Sequence, residues 1–325
     1  MLRRRFQASS ISVVTVLSAL ALASGGTACG GSDDPATDAP VAQTPDSGTS
    51  TTGSTPGTGG DGAASDAAGD GTASDASTTS RCKVTPTSVS CEHNVTKLTA
   101  GTATRDVYWQ TPTTPPPAAG YPVVVLYQGS FAGPSLTWGE LGPNTVFGGF
   151  YQGVLQAKLL DSGFTVIAPS AAVGIAWQTN SGLPWDATTD KDVIDALLAD
   201  VAAGKYGPAD MTRLYATGIS SGGYMTSRMA VSYAGKFRAL AIQSASYATC
   251  IGPVCNVPSE LPKDHPPTLF LHGEKDTTVP LFTAQAYHDA LGHAGIETSM
   301  ITDPDAGHQW LEQSPDRITD WFTNH

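Results

Sequence analysis

Gly218-Ile219-Ser220-Ser221-Gly222 combines a hydroxyl nucleophile with the small neighbours that a sharp strand-to-helix turn demands. Ser220 has glycine two residues to either side. Ser221 is flanked instead by Ile219 and Gly223, so Ser220 is the candidate nucleophile. A serine hydroxyl attacks poorly near neutral pH unless a histidine accepts its proton and a carboxylate orients that histidine. Downstream, His272-Gly273-Glu274-Lys275-Asp276 and Asp305-Ala306-Gly307-His308 supply an acid and then a histidine. Asp276 and His308 are the candidates for these roles. His288 and His293 fall in a helical pattern, His325 is terminal, and His272 reads as a brace for the acid's loop. Glu274, Asp303 and Asp305 compete with Asp276, but the first stands nearer a strand and the others crowd the histidine loop. The oxyanion of acyl transfer needs two backbone N–H donors. Ser221 is one candidate; Ser130, in Gln128-Gly129-Ser130-Phe131, is the second, with Phe131 next in line. This chemistry requires no metal or organic cofactor, and none is expected.

These residues need a scaffold that delivers them to one edge. From about residue 105 onward, short apolar runs alternate with helical patterns, the signature of βαβ units in a mostly parallel sheet. Strands are expected at 123–127, 164–168, 214–218, 239–242, 268–271 and 298–302. Helices are expected at 149–160, 192–201, 224–233, 281–294 and 314–322. The fold class is therefore α/β, with helices on both faces of the sheet and a single catalytic domain. Ser220, Asp276 and His308 each follow the carboxyl end of a strand, where open α/β sheets place their sites.

The segment Tyr127-Gln128-Gly129-Ser130-Phe131, the box Gly218 to Met225, Asp276 and His308 together resemble the extracellular depolymerases of medium-chain-length polyhydroxyalkanoates, within the α/β-hydrolase superfamily. That family's box reads Ile-Ser-Ser-Gly, as Ile219 to Gly222 do here. The resemblance spans roughly 100–325. It implies hydrolysis of 3-hydroxyalkanoate esters through an acyl-enzyme on Ser220, with Asp276 and His308 completing the triad. A feruloyl or acetyl esterase on plant polysaccharide is the competing enzymatic reading. A non-catalytic surface binding protein on a hydrolase scaffold is the alternative of another class. Several aromatics lie in loops at the expected active face, and Phe131, Trp138, Trp185 and Trp310 are the candidate substrate-contacting residues.

The front of the chain has a different character. Residues 30–80 contain only Gly, Ser, Thr, Ala, Asp and Pro besides one Val and one Gln, too little apolar area to offset the entropy of ordering. Residues 1–29 carry Arg3, Arg4 and Arg5 followed by a short apolar run, as in an export signal. Three divisions follow: a signal at 1–29, a linker at 30–80 and a catalytic domain at 81–325. Cys29, in Gly26-Thr27-Ala28-Cys29-Gly30, resembles the lipidated cysteine of bacterial lipoproteins and is the candidate outer-surface membrane anchor. A flexible linker of that length would reach about 40 Å from it. Cys82, Cys91, Cys250 and Cys255 fit two disulfides in an oxidising compartment. Three pairings are open, and the local one, Cys82 with Cys91 and Cys250 with Cys255, is favoured because it closes short loops. A zinc site lacks the spacing it would need. Net charge is −12 for the whole chain, and 81–325 holds 14 basic against 21 acidic residues. An acidic domain without a cationic cluster argues against a nucleic-acid partner. Oligomeric state is not legible.

Overall fold

The computed structural model describes residues 80–172 and 174–325. The leader, the linker and Cys29 lie outside the described residues. The chain begins with a small hairpin, β1 (Cys82–Thr85) and β2 (Ser88–Cys91), clamped by the Cys82–Cys91 disulfide. Next come β3 (Asn94–Ala100), β4 (Ala103–Gln110) and β5 (Tyr121–Tyr127). They are followed by the short α1 (Pro134–Thr137), α2 (Gly149–Asp161), β6 (Thr165–Pro169) and α3 (Thr189–Ala202). The second half runs β7 (Ala209–Ile219), α4 (Ser221–Ser232), β8 (Ala239–Gln243), β9 (Thr268–Gly273), α5 (Leu281–His293), β10 (Thr298–Asp303) and α6 (Ser314–Asn324).

Eight strands form one sheet in the order β10-β9-β8-β7-β5-β6-β4-β3. All neighbours from β10 to β6 are parallel, while β4 and β3 add an antiparallel edge. The apolar runs seen in the sequence are the interior strands: every residue of β5, β6, β8 and β9 is buried. Strand alternation distributes them between two layers. Val124 and Leu126 pack toward α2 and α6 with Leu155, Leu159, Ile318 and Phe322. Val123, Val125 and Tyr127 face α3 and α4 with Ile194, Leu197, Met225 and Met229. A third cluster, including Ile242, Phe270 and Tyr287, seats α5. Helices thus cover both faces, and the expected α/β-hydrolase architecture is present.

Two differences from the sequence reading stand out. The four strands before residue 111 were not anticipated, because β3 and β4 bear polar outer faces and carry no continuous apolar run. Helix α4 begins at Ser221, three residues earlier than its apolar pattern, so its first turn directly abuts Ser220. The second disulfide joins Cys250 to Cys255, and the local pairing is the one formed. No helix among the described residues is long and apolar enough to cross a membrane.

Candidate active site

Ser220 sits between the end of β7 and the start of α4 with φ 56° and ψ −122°, a left-handed backbone that costs a non-glycine residue about 1–3 kcal/mol. Its glycine neighbours are sterically required. A Cβ on Gly222 would collide with the carbonyl oxygens of Tyr127 and Gln128, and one on Gly218 would lie 2.6 Å from the carbonyl oxygens of Tyr127 and Gly222. The Ser220 amide donates to the Gln243 carbonyl at 3.1 Å, tying the turn to the end of β8. The amino end of α4 points its unsatisfied N–H groups and positive dipole end toward this turn.

Asp276 and His308 leave the ends of β9 and β10, and here the geometry is explicit. His308 Nδ1 donates to Asp276 Oδ2 at 2.7 Å, which leaves Nε2 able to accept a proton. The other carboxylate oxygen, Oδ1, accepts from the Thr278 and Val279 amides at 2.9 and 2.8 Å. Burial pushes the Asp276 carboxyl up, but His272, His308 and the Val279 amide outweigh it and hold it well below the usual carboxylate range. His272 is buried, with Nε2 donating to the Val279 carbonyl at 2.8 Å and lying 3.4 Å from Asp276 Oδ2. It braces the acid's loop. The competing acids point elsewhere: Glu274 accepts from Thr302, Asp303 caps its own turn, and Asp305 pairs with Lys275.

No direct hydrogen bond joins Ser220 to His308 among the described residues. They are linked through Gln243, which is fully buried. Its carbonyl accepts the Ser220 amide, while its side-chain Nε2 donates to the Gln309 carbonyl at 2.7 Å and its Oε1 accepts from Ser314 Oγ at 2.7 Å. Sequence reasoning passed over this residue; the signal was a polar amide closing the apolar run Ala239–Ile242.

The turn after β5 lies against Ser220: a Cβ on Gly129 would sit 3.1 Å from Ile219 Cγ2 and 3.9 Å from Ser220 Cβ. The Phe131 amide donates to the Ile175 carbonyl at 2.8 Å and is thereby removed as an oxyanion donor. The Ser130 and Ser221 amides have no acceptor among the described residues. Gln128 fixes the turn, its Oε1 accepting from the Ala171 amide at 3.0 Å and its Nε2 donating to the Gly174 carbonyl at 3.1 Å. Trp177 locks both halves, donating through Nε1 to the Gln128 carbonyl and through its amide to Ser221 Oγ.

Two of the four candidate substrate contacts are corrected. Trp310 is fully buried in the α2/α6 layer, with Nε1 donating to Gln152 Oε1 at 3.0 Å. Trp138 is buried in the same layer beside His93. Trp185 lies over the Arg228 guanidinium and edge-on to Tyr233. Those partners sit eight and thirteen residues along the chain from Ser220, about 12–20 Å along a helical rise. Phe131, by contrast, is 75% exposed next to Ser130. Phe147 was not singled out, yet its ring stands edge-on to His308 with centroids 5.9 Å apart. It is held there by the Trp310 amide, which donates to the Phe147 carbonyl.

The chain is similar in sequence and in fold to known proteins. Over 244 residues the chain is 52% identical to the poly(3-hydroxyoctanoate) depolymerase of Pseudomonas fluorescens, covering 74% of this chain and 87% of that protein. The family model described as the prolyl oligopeptidase family matches residues 251–325. Among solved structures, a thermostable esterase superposes with TM-score 0.53 at 15% identity, over 71% of this chain and 62% of that one. An acylaminoacyl peptidase in complex with Z-Gly-Gly-Phe-chloromethyl ketone superposes with TM-score 0.52 at 18% identity, over 71% of this chain and 40% of the peptidase. These structural likenesses establish the fold. With the sequence relationship, they show that the chain is a carboxylic ester hydrolase belonging to the medium-chain-length polyhydroxyalkanoate depolymerase family of the α/β-hydrolase superfamily.

Proposed function

We propose that the protein is an exported esterase that cleaves the backbone esters of 3-hydroxyalkanoate polyesters through Ser220, His308 and Asp276. The observation that carries this reading is the 2.7 Å contact between His308 Nδ1 and a buried, ionised Asp276, on the same sheet edge as the strained Ser220 turn. His308 Nε2 takes the Ser220 proton as Oγ attacks the ester carbonyl. The Ser130 and Ser221 amides receive the oxyanion. On collapse, His308 returns the proton to the departing hydroxyl of the polymer, leaving an acyl-enzyme. Water activated by the same imidazole then releases the 3-hydroxyacyl product. Asp276 holds the tautomer and stabilises the imidazolium.

Export is supported by the arginine-led apolar leader and by two disulfides. Attachment through Cys29 belongs to the same proposal; the intact mass of the mature protein reports a lipid there directly. For the catalytic part, the test is turnover of a p-nitrophenyl ester and of a polyhydroxyoctanoate latex by the wild type and by Ser220→Ala. The variant should fold and lose both activities. Retained turnover in Ser220→Ala, or release of ferulate or acetate from polysaccharide in place of hydroxyalkanoate from the latex, refutes the assignment.

A further inference from the structure

Eleven large apolar side chains stand exposed among the described residues, and nine of them lie in loops or helix starts beyond the carboxyl ends of the parallel strands. Only Val84 and Val95 belong to the antiparallel front of the domain. The other nine follow the strands of the parallel part, among them Phe131 and Phe147 after β5, Ile175 and Leu183 after β6, Ile251 and Val254 after β8, and Phe282 at the start of α5.

Specific contacts join these segments into one rim. Phe131 is bonded through its amide to Ile175, and Phe147 stands on His308. Asn180 Nδ2 donates to the Cys250 carbonyl at 3.0 Å, fastening the loop that bears Leu183 to the disulfide loop that bears Ile251 and Val254. That loop in turn approaches the acid's loop, where a Cβ on Gly252 would lie 3.4 Å from the Thr278 carbonyl oxygen. Two of the exposed side chains are held in costly backbone: Phe131 has φ 64° and Phe147 φ 57°. A phenylalanine kept in the left-handed region and yet left in water gains little from burial to offset that cost.

Three of the rim's segments are also poor in charge, whereas the acid's loop before Phe282 carries the exposed Glu274 and Lys275. Residues 129–150 contain one charged side chain, Glu140, and residues 170–185 and 244–259 contain none. Such a surface offers nothing to a nucleic acid or an anionic headgroup, whose recognition requires cations. It suits a neutral apolar solid, and Phe131 beside Ser130 and Phe147 against His308 bring it to the candidate site. We propose that this apolar rim is a docking face by which the enzyme seats itself on the surface of a water-insoluble polyester, delivering chain segments to Ser220 without a separate binding domain. The inference rests on the polyester-hydrolase reading above.

The test uses the full-length chain with Leu183→Asp, Val254→Asp and Phe282→Asp combined. All three side chains are more than half exposed and lie outside the triad and the oxyanion turn, so the fold should persist. A second variant, Val84→Asp with Val95→Asp, places charge on comparably exposed residues away from the rim. Co-sedimentation with polyhydroxyoctanoate latex and latex clearing should fall about tenfold or more in the rim variant. Its kcat/KM on soluble p-nitrophenyl octanoate should stay within about twofold of wild type, and the Val84/Val95 variant should keep all three properties. Latex binding retained by the rim variant, or lost equally in the Val84/Val95 variant, overturns the proposal. So does a dimer of this chain that the rim variant dissociates while latex binding persists. Wild-type turnover of the soluble ester without latex binding overturns the docking face alone, whereas soluble turnover surviving Ser220→Ala overturns the underlying catalytic reading.

Discussion

Replacing Gln243 with methionine would preserve the length and volume of a fully buried side chain while deleting its polar atoms. The backbone bond from the Ser220 amide to the Gln243 carbonyl survives. What disappears is the side-chain amide that holds the Gln309 carbonyl at 2.7 Å, the Leu271 carbonyl at 3.1 Å and Ser314 Oγ at 2.7 Å. The Leu271 carbonyl keeps the Ser244 amide, and the Gln309 carbonyl keeps only the longer 3.2 Å bond from Ser244 Oγ. Two short bonds to buried partners are therefore lost without replacement, at about 1–2 kcal/mol each, giving a loss of about 2–4 kcal/mol. In a domain of this size the melting temperature should drop by about 5–12 °C. The catalytic consequence is separable. Gln309 follows His308, so releasing its carbonyl loosens the histidine relative to Ser220 without touching the oxyanion amides, while the N–H of the same peptide, on Trp310, still holds the Phe147 carbonyl. Misplacement of that order should lower kcat on a soluble ester about 100-fold, with KM nearly unchanged. Steady-state kinetics below the melting transition, paired with thermal unfolding, read both effects. A kcat within twofold of wild type beside a lowered melting temperature would show that Gln243 supports the fold alone. A raised KM at constant kcat would equally refute the argument.

Asp276→Asn keeps the shape but presents an amide to His308 and favours the wrong imidazole tautomer. Esterase kcat should fall on the order of 10⁴-fold with the fold intact, and a loss under tenfold would exclude Asp276 as the orienting acid. Gly222→Ala drives a methyl into the Tyr127 and Gln128 carbonyls, so a loss of about 3 kcal/mol or more is expected in denaturant titration, and an unshifted midpoint would contradict the close approach. His265 is buried and neutral, its Nδ1 donating to the Pro266 carbonyl and its Nε2 accepting from the Tyr287 hydroxyl; burial pushes its pKa down from 6.5 to about 4. Because the unfolded chain binds this proton first, stability should decline as pH falls from about 6.5 to 4, by up to about 3 kcal/mol. His265→Phe should flatten that window in urea titrations at graded pH, and an unchanged slope would rule out His265 as its source.

The parts legible in the sequence share one physical property: their burial is decided locally. Val123 to Tyr127 and Phe164 to Ala168 are covered on both faces, so continuous apolar runs announced them. Asp276 and His308 could be placed because each follows such a run by a few residues. The antiparallel edge was hidden because β3 is covered on one side only and its outer positions are Val95, Lys97 and Thr99, which break any continuous apolar run. Trp138 and Trp310 misled for the opposite reason. Their loop positions suggested exposure, but whether a loop aromatic turns inward depends on distant partners such as Gln152, far along the chain from Trp310. The bond that engages the Phe131 amide likewise comes from the Ile175 carbonyl, beyond the reach of any local pattern.

The four non-glycine residues with positive φ among the described residues are Phe131, Phe147, Ser220 and Ser244, and every one lies in a loop at the carboxyl edge of the sheet. Strain of about 1–3 kcal/mol at each site persists only where surrounding bonds over-determine the backbone. Those bonds can be named. Phe131 is held by Ile175, Phe147 by the Trp310 amide, Ser220 by the Gln243 carbonyl, and Ser244 by Leu271 and Gln309. Buried glutamines recur among the braces: Gln128 ties the oxyanion turn to residues 171–174, and Gln243 ties the nucleophile turn to the histidine loop. A glutamine suits this work because one side chain can donate and accept at once without burying a charge. The turns at this edge are therefore held chiefly by buried neutral struts, and the Lys275–Asp305 pair that joins the acid and histidine loops lies exposed, where an ion pair contributes little. Its geometry should then be insensitive to salt, while polymer docking on a charge-poor rim should strengthen with salts that favour apolar burial. Soluble-ester turnover that fell steeply with ionic strength would contradict this division.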